Sequence, residues 1–162
     1  MGKKGELYIQ KIFTDLGFKC ELNQDYEKRY EFDLYVELGK LKFTIEVKND
    51  EMATKTGNLA IEVNNCKSNK PSGIYSSSSD IWVHLIRPKG QTELQAYAIR
   101  LEQLKCFAES VEPLKKVYGG GDDNADLLIY KSRDILPEFY RFDNITKQST
   151  MKALFSELLC VH

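Results

Sequence analysis

The chain has 162 residues, 42% of them hydrophobic and 29% charged, with a formal net charge of −1. That is one domain's length with enough apolar material for a sound core, so a disordered chain is excluded and a single domain over residues 1–162 is expected. No apolar run approaches the roughly 18 residues of a membrane span, and the two early lysines are not followed by the unbroken apolar stretch of a secretory signal.

Residues 6–16, ELYIQKIFTDL, place Ile9, Ile12, Phe13 and Leu16 on one helical face, and Gly17 follows where helices end. A short strand, FKCEL, and a charged loop, NQDYEKRY, come next. Then Phe32, Leu34, Val36 and Leu38 alternate with Asp33, Tyr35 and Glu37. After Gly39-Lys40, Leu41, Phe43, Ile45 and Val47 alternate with Lys42, Thr44, Glu46 and Lys48. This pattern predicts a β-hairpin with one buried face and a two-residue type II′ turn. In that register Leu38 faces Leu41, Asp33 lies directly opposite Glu46, and Lys48 shares their face opposite Glu31.

Further along, NLAIEV (58–63) reads as a strand with Glu62 on its polar side. KSNKPSGIYSSSSD reads as a loop, and IWVHLIRP as a buried strand ended by Pro88. ELQAYAIR predicts another strand, followed by a helix over 101–110. YGGGDDNAD predicts a flexible loop, and LLIY a last short strand. Residues 147–160 form an amphipathic helix carrying Met151, Leu154, Phe155, Leu158 and Leu159, which either caps the core or forms a dimer interface.

The chemistry concentrates on the hairpin's polar face. Like charges directly opposite on a sheet destabilise it unless a cation sits between them. Hard oxygen ligands suit Mg²⁺, which takes one or two protein carboxylates and keeps several waters. Such an ion polarises a phosphoryl oxygen and lowers the pKa of a bound water, while a lysine on the same face orients that water or neutralises developing charge. The four cysteines, Cys20, Cys66, Cys106 and Cys160, stand far apart with no Cys-x-x-Cys pair. That speaks against zinc and for reduced thiols in a cytoplasmic compartment. The net charge does not by itself suggest a nucleic-acid partner, but acidic metal ligands offset basic residues around them, so it does not exclude one.

Asp33, a hairpin, then Glu46-Val47-Lys48 resembles the signature of the PD-(D/E)xK nucleases, over roughly residues 6 to 87, with a C-terminal extension over about 88–162. The resemblance implies an α/β (α+β) restriction-endonuclease-like core, a mixed central sheet flanked by helices. It implies Mg²⁺ (or Mn²⁺) held by Asp33, Glu46 and Val47, catalysis assisted by Lys48, and DNA as substrate. RNA is the alternative substrate, and a non-catalytic nucleic-acid-binding module is the alternative outside enzymes. A homodimer is implied too, because cutting both strands needs two sites. Many members carry a helix-borne acid, and Glu6 occupies that place. This sequence departs from the pattern in having Phe32 before Asp33 and a serine-rich loop where a helix is expected. The segment around KTGNLAIEV and SSDIWVH is similar to that of small phage-type members. It makes Glu62 and Asn58 second-tier candidates and offers Ser76 to Ser79 as phosphate contacts.

Each residue also has a plainer reading. Asp33, Glu46 and Lys48 can decorate a solvated sheet face, and Glu6 can complement a helix dipole. Glu62 can be a surface acid, and His84 reads as structural. The Gly119-Gly120-Gly121 run lacks the Lys-Ser/Thr ending and the strand-to-helix setting of a phosphate loop, so it reads as a flexible loop.

Overall fold

Alternating apolar residues make the hairpin, and the hairpin seeds the main sheet. The computed structural model describes residues 2–25, 27–28, 31–88, 90–120, 124–142 and 148–159. Helix α1 (Gly2–Asp15) and strand β1 (Lys19–Leu22) lead into β2 (Leu34–Leu38) and β3 (Leu41–Asn49). Then come α2 (Glu51–Thr56), β4 (Asn58–Asn65), β5 (Lys70–Pro71), a 3-10 turn (Gly73–Tyr75) and β6 (Ile81–Ile86). The chain continues through β7 (Gln95–Arg100), α3 (Leu101–Ser110), β8 (Lys115–Gly120), β9 (Ala125–Lys131) and α4 (Ser132–Ile135). A second 3-10 turn (Leu136–Glu138), β10 (Tyr140–Arg141) and α5 (Gln148–Leu159) complete it. The architecture is mixed α and β, with a central mixed sheet flanked by helices, as expected. Among the described residues no helix is long and apolar enough to cross a membrane.

The main sheet has six strands in the order β1-β2-β3-β6-β7-β10. Its ladders are antiparallel except for the parallel pairing of β3 with β6. A second, antiparallel sheet has the order β5-β4-β9-β8. Every residue of β6 is buried because both of its faces are covered. Ile81, Val83 and Leu85 meet Ile9 and Phe13 of α1 and Phe155 and Leu158 of α5 in one core. Phe155 stacks on Phe43 with ring centroids 5.0 Å apart, and Phe13 lies 5.1 Å from Phe155. Trp82 and Ile86 face the other way, into a second core with Leu59 and Ile61 of β4 and Leu101 and Leu104 of α3. Cys20 belongs to the first core, and burial pushes its thiol up to about 12.

The hairpin register is as expected from Leu34–Ile45 to Leu38–Leu41, with Gly39 at φ +61 in the turn. Five features differ from the sequence reading. Helix α1 begins at Gly2 and not at Glu6, so its first turn carries no acid and Glu6 lies beyond it. Residues 118–120 belong to β8, paired with a longer β9, and not to a loop. A bulge between Val117 and Gly120 absorbs the glycines, with Gly119 at φ +68. Gly121 and the Met151 side chain lie outside the described residues. Helix α2 follows the hairpin directly, too short for a helical period to show. Asp50 caps it by accepting the Ala53 N–H at 2.8 Å, and Gly57 ends it in the left-handed region. The serine-rich segment contains β5 and a 3-10 turn. Finally, Glu31 does not face Lys48: its carbonyl accepts from the Ser78 N–H at 2.9 Å and the Ser77 hydroxyl at 2.8 Å.

Gly73 binds that turn to β4. At φ +55, a Cβ there would lie 2.1 Å from the Glu62 carbonyl oxygen and 2.7 Å from the Glu62 Cβ. A side chain at Gly39 would meet nothing within 4 Å. Urea denaturation should therefore show Gly39→Ala costing about 1 kcal/mol, the left-handed strain alone, and Gly73→Ala about 3 kcal/mol or more. Equal losses in the two variants would show that the turn moves off β4 freely.

Candidate active site

The polar face of β3 looks away from the α1–α5 core and toward the second sheet. Phe43, Ile45 and Val47 are buried in the first core, so period two sends Thr44, Glu46 and Lys48 to the opposite side. The parallel ladder then sets Glu46 beside Trp82 and Lys48 beside His84.

Asp33 stands one position beyond the β2–β3 ladder, at the place opposite Glu46. Its N–H donates to the Ile45 carbonyl at 2.8 Å, and its Oδ2 accepts from the Val47 N–H at 2.7 Å. The carboxylate thus takes the next amide of β3, where a continuing strand would offer a carbonyl. Two brackets hold the chain in that bend. The Asn23 N–H donates to the Asp33 carbonyl at 2.7 Å and the Asn23 amide to the Phe32 carbonyl at 2.9 Å, while the serines hold Glu31.

Lys48 Nζ donates to Glu46 Oε1 at 2.7 Å and lies 5.2 Å from the centre of the Trp82 ring. Cation–π attraction to a desolvated indole face fixes the ammonium from below while Glu46 fixes it from the side. Glu46 is 9% exposed. Burial first, then the charges of Asp33 and Glu6, raise its carboxyl to about 7 against the lowering pull of Lys48. Asp33 is also raised by burial, opposed by the Val47 N–H and Lys48. Burial works against the Lys48 charge, but Glu46, Asp33 and Glu62 outweigh it and leave its pKa raised, so Lys48 is an ammonium.

Glu6 joins from the first core's side of the sheet. Gly5 lets α1 sit close: a Cβ there would lie 3.1 Å from a Leu85 methyl and 3.5 Å from Val47 Cγ1 and Asn49 Cβ. The Glu6 carboxyl is raised, by burial first and then by Asp33, and Lys48 lowers it. The structure therefore brings Asp33, Glu46, Lys48 and Glu6 together, with Glu62 within electrostatic reach of Lys48. Asn58 and Ser76 make no hydrogen bond with any of them. The Ser76 hydroxyl goes to the Gly73 carbonyl, and the Asn58 N–H goes to Thr56 Oγ1.

Trp82 and His84 form the floor that sequence reading missed as site residues. Only the parallel pairing, which joins segments 36 residues apart, shows that they share the face of Glu46 and Lys48. His84 is 1% exposed and packs edge-on against Phe139. Burial, then Lys48, lowers its pKa to about 3.

No protein-family model and no curated protein matches the chain. A solved structure described as that of a bacterial homing endonuclease, I-Ssp6803I, is similar with a TM-score of 0.46 and 16% identity. The match covers 62% of this chain and 67% of that one.

A neutral histidine buried this way contributes stability that is fully present above its unfolded pKa near 6.5. That stability is lost as pH falls from 6.5 toward 3, because the unfolded chain takes up the proton first. Relative to a His84→Leu variant, the wild type should lose about 2–3 kcal/mol on going from pH 7.5 to 4.5. Paired urea melts at the two pH values read the difference. Parallel pH profiles would mean His84 is already charged or solvated in the folded chain.

Proposed function

We propose that this chain is a Mg²⁺-dependent nuclease that hydrolyses phosphodiester bonds in DNA, with Asp33, Glu46, Lys48 and Glu6 as its catalytic group. One observation carries the reading. A buried carboxylate, Glu46, and a half-buried one, Asp33, share a face with a lysine at the end of the hairpin, each has one oxygen already anchored, and burial with the neighbouring acids raises Glu46 to about 7.

The residues fit the metal. The donors are hard oxygens, Asp33 and Glu46, and the main-chain carbonyl of Val47 is the further group the sequence pattern assigns. Among the described residues no cluster of three or more His, Cys, Asp or Glu forms a full cage, and Mg²⁺ needs only one or two carboxylates beside its waters. When bound, the ion supplies Lewis-acid polarisation of a phosphoryl oxygen and a water of lowered pKa.

The chain's own groups do the rest. Lys48, with one N–H on Glu46, has its other donors for the attacking water and for charge developing on the phosphoryl oxygens. Because its pKa is raised, it positions and neutralises; it is not the base. Glu6, raised and outside the proposed ligand set, is the carboxylate placed to take the water's proton. Trp82 keeps Lys48 aimed. The whole chain would act as one domain, as a homodimer where both strands are cut, in a cytoplasm-like compartment that keeps thiols such as Cys106 reduced.

A panel of labelled single-stranded, duplex, flap and four-way-junction DNAs, with an RNA counterpart, tests this in Mg²⁺, Mn²⁺ and EDTA. The expected result is metal-dependent cleavage that falls at least about 100-fold in Lys48→Ala, with fold and binding retained. Preferential cutting of the RNA would move the substrate to RNA with the site unchanged. Cleavage by Lys48→Ala at the wild-type rate would refute the assignment.

A further inference from the structure

Where α1 and α2 approach each other beyond the carboxylates, they leave a cavity of about 360 Å³. Lys4 of α1, Lys55 of α2 and Arg87, just past β6, stand on its wall, with Asn49 of β3 among them. Gly5 and Asn49, which line it, are the chain neighbours of Glu6 and Lys48, and Asn49 lies on the α1 side of β3, the side from which Glu6 reaches the site. Lys48 pairs in register with His84, and Arg87 lies three residues further on, about 10 Å along an extended chain.

The three cations are uncommitted. Lys11, Lys19, Lys42, Lys48 and Lys105 each hold a carboxylate partner, whereas among the described residues Lys4, Lys55 and Arg87 form no ion pair. Two acids share the wall: Asp50 gives one oxygen to the Ala53 N–H and the other to the Ala60 N–H, and Glu51 stands in the first turn of α2. The first turn of α1 carries no acidic residue, so the positive end of its dipole adds to the field. In a chain of net charge −1, three cations against Asp50 and Glu51 leave this cavity a local excess of positive charge.

A second cavity lies beside it. Thr54 and Lys55 also line this second cavity of about 580 Å³, with Gly57 at the end of α2 and Ser132 of α4, so Lys55 stands between the two. We propose that this cleft is a phosphate-binding subsite that takes the nucleic-acid backbone beside the reacting phosphate, with Lys4, Lys55 and Arg87 as its contacts. The proposal rests on the nuclease reading of the adjoining carboxylates. Arg87 suits a phosphate through its planar fork of donors, and the two lysines act as point charges. Such contacts set the register of a strand over the catalytic group without reading its sequence.

Binding in EDTA separates this subsite from catalysis. Fluorescein-labelled single-stranded and duplex oligonucleotides are titrated with wild type, Lys4→Gln, Lys55→Gln, Arg87→Gln and the triple variant over a range of KCl concentrations. Lys11→Gln, from the far end of α1, is the control for charge loss alone. Each cleft substitution should weaken binding and lower the slope of log K against log [salt] by about one, the triple variant by about two to three, and Lys11→Gln should leave it unchanged. Thermal melts check that all variants are folded.

Slopes equal to wild type in the cleft variants would overturn the subsite, and so would an equal drop in Lys11→Gln or an absence of binding by the wild type. Tight competition by inorganic phosphate would also overturn it, since that marks a small-anion pocket. None of these bears on Lys48-dependent cleavage, which is read separately in Mg²⁺. Conversely, slope changes confined to the cleft variants in a protein that cuts nothing would leave the subsite standing and remove the nuclease reading.

Discussion

The parallel ladder of β3 on β6 sets which side chains share each face of the sheet, and most of the molecule follows from it. It aligns Val47 with Val83 toward the aromatic core of α1 and α5, and Glu46 and Lys48 with Trp82 and His84 on the other side. Its register is pinned at one end by Asp80, whose Oδ2 accepts both the Thr44 N–H at 2.8 Å and the Thr44 hydroxyl at 3.0 Å. At the other end the Asp50 N–H donates to the Leu85 carbonyl at 3.0 Å. A slip of one residue would carry the charged set into the aromatic core, a cost far above that of any single contact.

Against that frame the charges are arranged at a cost the fold can bear. Burial raises both Asp33 and Glu46, and two raised carboxyls near each other detract from stability at neutral pH. Three local devices contain the penalty: the Val47 N–H on Asp33, the Lys48 ammonium on Glu46, and the indole face under Lys48. None of them neutralises the pair. That leaves negative charge held in a fixed place, at a strand and at the bend beside it, as the metal-dependent reading proposed above requires.

Segments distant from the site hold it indirectly. The serine-rich stretch fastens Glu31, two residues before Asp33, through the buried Ser77 hydroxyl and the Ser78 N–H, with the buried Ser79 paired to Ser77. The same stretch is clamped to β4 by Gly73 at Glu62, the acid that Lys48 senses from the opposite sheet. One loop therefore positions Asp33 and Glu62 together, and both cores contribute to a site that lies at the surface of neither.

The sequence by itself determined the hairpin, its turn and its register, because alternation with period two and a Gly-x turn are local properties that burial of one face makes obligatory. It determined α1, α3 and α5 through helical periodicity, and it put Asp33, Glu46 and Lys48 on one face. Helix α2 escaped because six residues are less than two turns, although its cap Asp50 and its terminator Gly57 were both there to be read. Strand β8 escaped because glycines read as loop until a partner strand supplies the hydrogen bonds. Tertiary structure alone decided that β3 lies beside β6, that Trp82 and His84 floor the site, that the serines face inward, and that Lys4, Lys55 and Arg87 meet around one cavity. Each of these joins residues tens of positions apart, and no local pattern encodes such a meeting, since it is fixed only when two sheets and the helices between them close on their shared apolar faces.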